Sequence, residues 1–133
     1  MSDGNRFSRV SVLIVDDNDT TRAMLRAILR TEGLNVIGEA RDGDTAIELV
    51  RKQRPGLVCL DVMMPSIGGI EVLTRIKTEQ PDIRVLMISG STDRDTVKAA
   101  IDGGANGYLV KPFNSARVMA AIGVALSRSR SSS

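Results

Sequence analysis

Three acids, one serine and one lysine stand where this chain could do chemistry. Asp16 and Asp17 follow the apolar run over 10–15, and Asp61 ends the run Leu57-Val58-Cys59-Leu60, with Pro65 shortly after. Ser89 closes the run over 83–88, and Lys111 closes the one over 107–110. Carboxylates brought together repel, so a cluster of them implies a hard divalent cation with oxygen ligands. Mg²⁺ suits such a set best, because it keeps waters and is held by a few carboxylates plus phosphate. Lys111 adds a positive point charge and Ser89 a hydroxyl donor. Metal, ammonium and hydroxyl together form a cradle for a phosphoryl group. A remaining carboxylate is then a candidate nucleophile for aspartyl-phosphate chemistry.

That chemistry exists only if the fold gathers those chain positions. The apolar runs at 10–15, 34–40, 57–61, 83–88 and 107–110 read as strands,. The third has the continuous apolar character of a parallel strand buried on both faces. Between them lie helical patterns. Asn18 or Asp19 caps the first, which carries Met24, Leu25, Ile28 and Leu29 and stops at Gly33,. Asp42 or Asp44 opens the second. The third carries Ile70, Val72, Leu73 and Ile76 and ends before Pro81; the fourth spans 93–103; Asn114 caps the last. Gly68-Gly69 reads as loop and helix start, since the chain has no G-x-x-x-x-G-K-[ST] phosphate loop. Five alternations predict an α/β domain with a five-stranded parallel sheet, helices on both faces and right-handed crossovers. In such sheets ligands bind at the strands' C-terminal edge, where all five polar residues fall. Residues 1–9 read as a flexible leader, 10–127 as the domain and 128–133 as a disordered Ser/Arg tail,.

Composition narrows the classes. The length of 133 residues suits one domain with a real core,. A net charge of +2 is too weak to argue for nucleic acid, and one Tyr, two Phe and no Trp leave no base-stacking platform,. The absence of His excludes Ser-His-Asp chemistry, His-ligated metals and a phosphohistidine on this chain. The lone Cys59 lies in an apolar run and reads as a core thiol. No apolar run reaches the roughly 20 residues of a membrane span. Residues 1–9 lack a signal-peptide core, so the expected location is cytoplasmic,.

Four blocks now name a family. Val12-Leu13-Ile14-Val15-Asp16-Asp17-Asn18, Leu60-Asp61-Val62-Met63-Met64-Pro65, Met87-Ile88-Ser89-Gly90 and Gly107-Tyr108-Leu109-Val110-Lys111-Pro112-Phe113 resemble the response-regulator receiver domain of two-component signalling, over residues 10–127. The resemblance implies a flavodoxin-like doubly wound sheet of order 2-1-3-4-5, which sets the first and third strands side by side. It implies Asp61 as phosphoacceptor. Mg²⁺ would be bound by Asp17 and Asp61 directly, by Asp16 directly or through water, and by the backbone carbonyl of Met63. Lys111 would hold a phosphoryl oxygen, and Ser89, where Thr is commoner, would turn inward to donate to another. Tyr108 matches the aromatic that swings inward with that hydroxyl. A cis Lys111–Pro112 peptide is implied too.

Met63 and Ser91 occupy the two positions able to orient water against the acyl phosphate. Met63 is apolar and Ser91 short, so self-dephosphorylation should be slow. The implied donor is a sensor histidine kinase, a phosphotransfer protein or a small phosphodonor. The implied readout is the face of the fourth helix, fifth strand and fifth helix, binding a target protein or a second copy. The domain would assist its own phosphorylation without being an enzyme proper, and would touch neither membrane nor nucleic acid directly.

Other readings stay open. Asp16 or Asp17 could merely cap a helix, Lys111 could be a solvated surface residue, and Tyr108 could simply pack. A phosphohydrolase with an aspartyl nucleophile would want an acid two residues past Asp61, where Met63 cannot transfer a proton. A flavin binder would want aromatic walls that two Phe and Tyr108 hardly supply. A stand-alone receiver and a piece of a longer DNA-binding or enzymatic regulator both fit the chain.

Overall fold

The computed structural model describes residues 9–127. The expected leader, Arg9 apart, and the expected tail over 128–133 lie outside the described residues. Strands and helices alternate strictly. They are β1 (Ser11–Val15), α1 (Asp19–Thr31), β2 (Asn35–Ala40), α2 (Gly43–Gln53), β3 (Leu57–Asp61), α3 (Gly69–Glu79), β4 (Arg84–Ser89), α4 (Arg94–Asp102), β5 (Gly107–Val110) and α5 (Ser115–Ser127). All pairings are parallel, and the strand order is β2-β1-β3-β4-β5.

Local chemistry sets the helix starts. The side chain of Asn18 accepts from the Thr21 amide, Asp42 from Thr45, Asp93 from Thr96 and Asn114 from Arg117. Each satisfies an amide that the first helical turn leaves unpaired. Three strands begin one residue later than their apolar runs suggest, β1 at Ser11, β2 at Asn35 and β4 at Arg84. Leu34 is buried, but its amide donates to Leu29 O in the C-terminal cap of α1, where Gly33 takes φ +92°,. Ile83 is buried too, but its amide closes a turn onto Gln80 O. Both residues therefore pack without entering the ladder.

Alternation along the strands splits the core into two layers. Val12, Ile14, Leu57, Cys59, Leu86, Ile88 and Leu109 face α1 and α5, meeting Leu25, Leu29, Val118 and Ile122. Leu13, Val15, Val58, Leu60, Val85 and Met87 face α2, α3 and α4, meeting Ala46, Ile47, Leu73, Ile76 and Ala100. Register then aligns the strand ends. Val15 pairs with Leu60, so Asp16 and Asp61 come level; Asp61 pairs with Ile88, and Ser89 with Val110. The crevice between β1 and β3, where the order reverses, is where such sheets bind ligands.

Candidate functional site

Asp16, Asp17 and Asp61 converge, each offering a carboxylate oxygen within 4.8 Å of the others. Asp16 and Asp61 are 1% and 3% exposed. Asp17 opens to solvent. Burial on this scale costs a carboxylate several kcal/mol unless a cation compensates. Among the described residues, Lys111 is the cation that pairs with both buried carboxylates. Its Nζ stands 3.3 Å from Asp16 Oδ2 and 3.5 Å from Asp61 Oδ1. It reaches both because the chain turns there, with Lys111 N donating to Ser89 O at 2.8 Å. The Lys111–Pro112 peptide is cis, as the resemblance implies.

One ammonium does not balance three acids. Burial, and next the charge of Asp16, push the Asp61 carboxyl up from its ordinary 3.8 to about 6. Lys111 and the Met63 amide, 3.4 Å from Asp61 Oδ1, pull the other way and only partly offset this. Asp16 is the most constrained of the three. Its Oδ1 accepts from Asn18 N at 2.8 Å, its Oδ2 faces Lys111, and its amide donates to Ala40 O at 3.1 Å. An all-oxygen donor set with excess negative charge fits a hard cation such as Mg²⁺.

Ser89 and Tyr108 lie beside this cluster and make no hydrogen bond to it. Ser89 is fully buried, and its Oγ accepts from Ser91 N at 3.0 Å. Tyr108 Oη donates to Ser91 O at 2.9 Å. Ser91 is thereby held at its amide by Ser89 and at its carbonyl by Tyr108. Its own hydroxyl accepts from Asp93 N at 2.9 Å. Met63 turns its side chain outward, 72% exposed. Behind Tyr108 runs a groove of about 180 Å³ lined by Val97, Ala100, Ile101, Ala105 and Val124. Ile101 and Val124 are exposed there. No described helix is long and apolar enough to cross a membrane.

Two further residues had no reading from the sequence as parts of the site. A Cβ on Gly69 would lie 2.1 Å from Asp61 O and 2.7 Å from Val62 Cα. Gly69 is therefore more than a helix start. Only glycine lets α3 approach the backbone of Asp61 so closely, and Gly69 N donates to Val62 O at 2.9 Å,. The second is Arg22, whose Nη1 donates to Asp16 O at 2.7 Å. Its place within α1 carries no sign of that in the sequence.

Comparison with known proteins agrees with this fold. The family described as response regulator receiver domain matches residues 12–123. The transcriptional regulatory protein PdtaR of Mycobacterium tuberculosis is 40% identical over 119 residues, covering 90% of this chain and 58% of that protein. The chain thus spans little more than half of that relative. The chemotaxis protein CheY of Bacillus subtilis is 39% identical over 111 residues, covering 84% of this chain and 92% of that one. Among solved structures, the CheX–CheY–BeF₃–Mg²⁺ complex from Borrelia burgdorferi matches with a TM-score of 0.86 and 33% identity, covering 90% of each chain.

Proposed function

The chain belongs to the response-regulator receiver family of two-component signalling, and on that footing we propose that Asp61 is its phosphoacceptor. The observation that carries the proposal is the pairing of a buried Asp61 with Lys111 at the C-terminal edge of the sheet, beside two further acids. Asp61 acts ionised. One of its oxygens forms a bond to phosphorus as the phosphorus–nitrogen bond of a donor phosphohistidine, or the phosphorus–oxygen bond of a small acyl phosphate, breaks. The leaving group departs with the electron pair. Lys111, now shared between Asp16 and Asp61, transfers its ammonium to a phosphoryl oxygen. The Ser89 oxygen accepts one hydrogen bond, which leaves its O–H to donate to a second phosphoryl oxygen,.

Asp16, Asp17 and Asp61 would hold Mg²⁺, with the Met63 carbonyl. Asp16 has both oxygens engaged already, which favours contact through water. The ion would supply the positive charge that phosphoryl oxygens need in transfer.

The output is a change of surface. Ser91 links Ser89 to Tyr108, so a pull on the Ser89 hydroxyl reaches Tyr108 and the groove between α4 and α5. That face would bind a target protein or a second copy, with a sensor histidine kinase or phosphotransfer protein as donor. Receiver-containing chains include enzymes; this domain is read as a cytoplasmic phosphoacceptor without turnover of its own. Resetting is slow, because Met63 cannot orient water and the Ser91 side chain is short.

Intact-mass measurement after acetyl phosphate and Mg²⁺ tests the core of this. A gain of about 80 Da, one added phosphoryl group, is expected and should be lost in Asp61→Asn. Retention of the gain in that variant would assign the phosphoryl group elsewhere.

A further inference from the structure

Arg22 spends its guanidinium in three directions. Nη1 donates to Asp16 O at 2.7 Å, Nε to Glu39 Oε1 at 3.2 Å, and Nη2 to Asp19. The other oxygen of Glu39 takes Arg26 Nη1. The Arg22 side chain is only 15% exposed. Glu39 meets these arginines because β2 carries a register shift. Val12 pairs with Val36, but Leu13 pairs with Gly38 and Ile14 with Glu39. One extra residue, Ile37, is thereby absorbed, and every later side chain of β2 changes face. Val36 accordingly packs in the layer of α1, and Ala40 in the opposite one. Without the bulge Glu39 would point away from α1.

The carbonyl that Arg22 holds belongs to the peptide joining Asp16 to Asp17. The amide of Asp16 is already fixed on Ala40 O. That amide lies in the preceding Val15–Asp16 peptide, so the two bonds hold the peptide units on either side of the Asp16 Cα, and the Arg22 bond orients the Asp16–Asp17 peptide from which the exposed Asp17 side chain leaves the backbone. The cluster is charge-balanced: Arg22 and Arg26 against Asp19 and Glu39. We infer that Arg22, braced by Glu39 across the β2 bulge, is a positioning residue that presets Asp17 for Mg²⁺. The inference rests on the acid cluster being the Mg²⁺ site.

Its sign separates it from simple electrostatics. Removing a cation near the acids should tighten Mg²⁺ binding if charge alone mattered. Positioning demands the opposite. Calorimetric titration of the metal-free chain with MgCl₂ should give a Kd about tenfold weaker in Arg22→Ala, the low end of what outer-shell partners contribute. Arg22→Lys keeps the charge but cannot span three acceptors, and should remain about threefold weak. If Arg22→Ala does not fold by circular dichroism, the Lys variant decides alone. Wild-type affinity or tighter in the folded variants overturns the inference. Absence of Mg²⁺ binding in the wild type would instead remove the site on which it stands.

Discussion

Asp61→Asn should stabilise the metal-free protein, and only at neutral pH. The carboxyl ordinarily titrates at 3.8 and is pushed to about 6 in the fold, by burial first and by Asp16 next. Between those values the folded state holds more protons than the unfolded one. Stability therefore falls as pH rises through that window, and the full penalty applies above about pH 6. At about 1.4 kcal/mol per unit of pKa, the gap amounts to about 3 kcal/mol. Asp61 is 3% exposed, so solvent screening does not erase this. The amide suits Lys111 less well than the carboxyl does, which takes back roughly 1 kcal/mol. A net gain of about 2 kcal/mol is left, or about 8 °C in melting temperature for a domain of this size. Urea and thermal unfolding followed by circular dichroism, with chelator present, at about pH 4 and about pH 7.5 would measure it. The two proteins should nearly coincide at the lower pH and separate at the higher. Saturating Mg²⁺ should then raise the wild type and close the gap, since a ligand of the folded state alone stabilises it. A variant less stable than wild type at neutral pH, or a difference that ignores pH, would refute the reasoning.

Asp17→Ala should abolish Mg²⁺-dependent phosphorylation by acetyl phosphate yet leave the circular dichroism spectrum intact, because Asp17 is exposed and no part of the core. Gly69→Ala should cost more than about 2 kcal/mol in urea unfolding, since a Cβ placed 2.1 Å from a backbone oxygen must displace α3 or the Asp61 peptide,; a neutral result would show that the approach relaxes freely. Met63→Asn combined with Ser91→Glu should speed loss of the phosphoryl group by at least about tenfold, the ~1.4 kcal/mol expected from better orienting one water. An unchanged decay, followed by intact mass, would remove those two positions from control of the lifetime.

Much of this protein was legible in the sequence because much of it is written locally. Apolar runs, cap candidates such as Asn18, Asp42 and Asn114, and the stop at Gly33 specify most elements from their immediate neighbours, although Asp93, expected as the first residue of its helix, proves to be the cap. Strict alternation then makes the sheet parallel, and a parallel sheet brings all C-terminal strand ends to one edge. Asp16, Asp61, Ser89 and Lys111 were found for that reason alone. The strand order came from family likeness, since no local pattern states which strands are neighbours. Individual contacts were beyond reach, even between residues a few positions apart. The close pass of Gly69 over the Asp61 backbone, the division of Asp16 between Asn18 and Lys111, and the hold of Arg22 on Asp16 O depend on three-dimensional adjacency. The bulge that turns Glu39 toward α1 is a matter of register between two strands, and neither strand carries it separately. The raised pKa of Asp61 is likewise tertiary: a lone aspartate in the chain titrates normally, and only burial beside Asp16 makes its charge costly,.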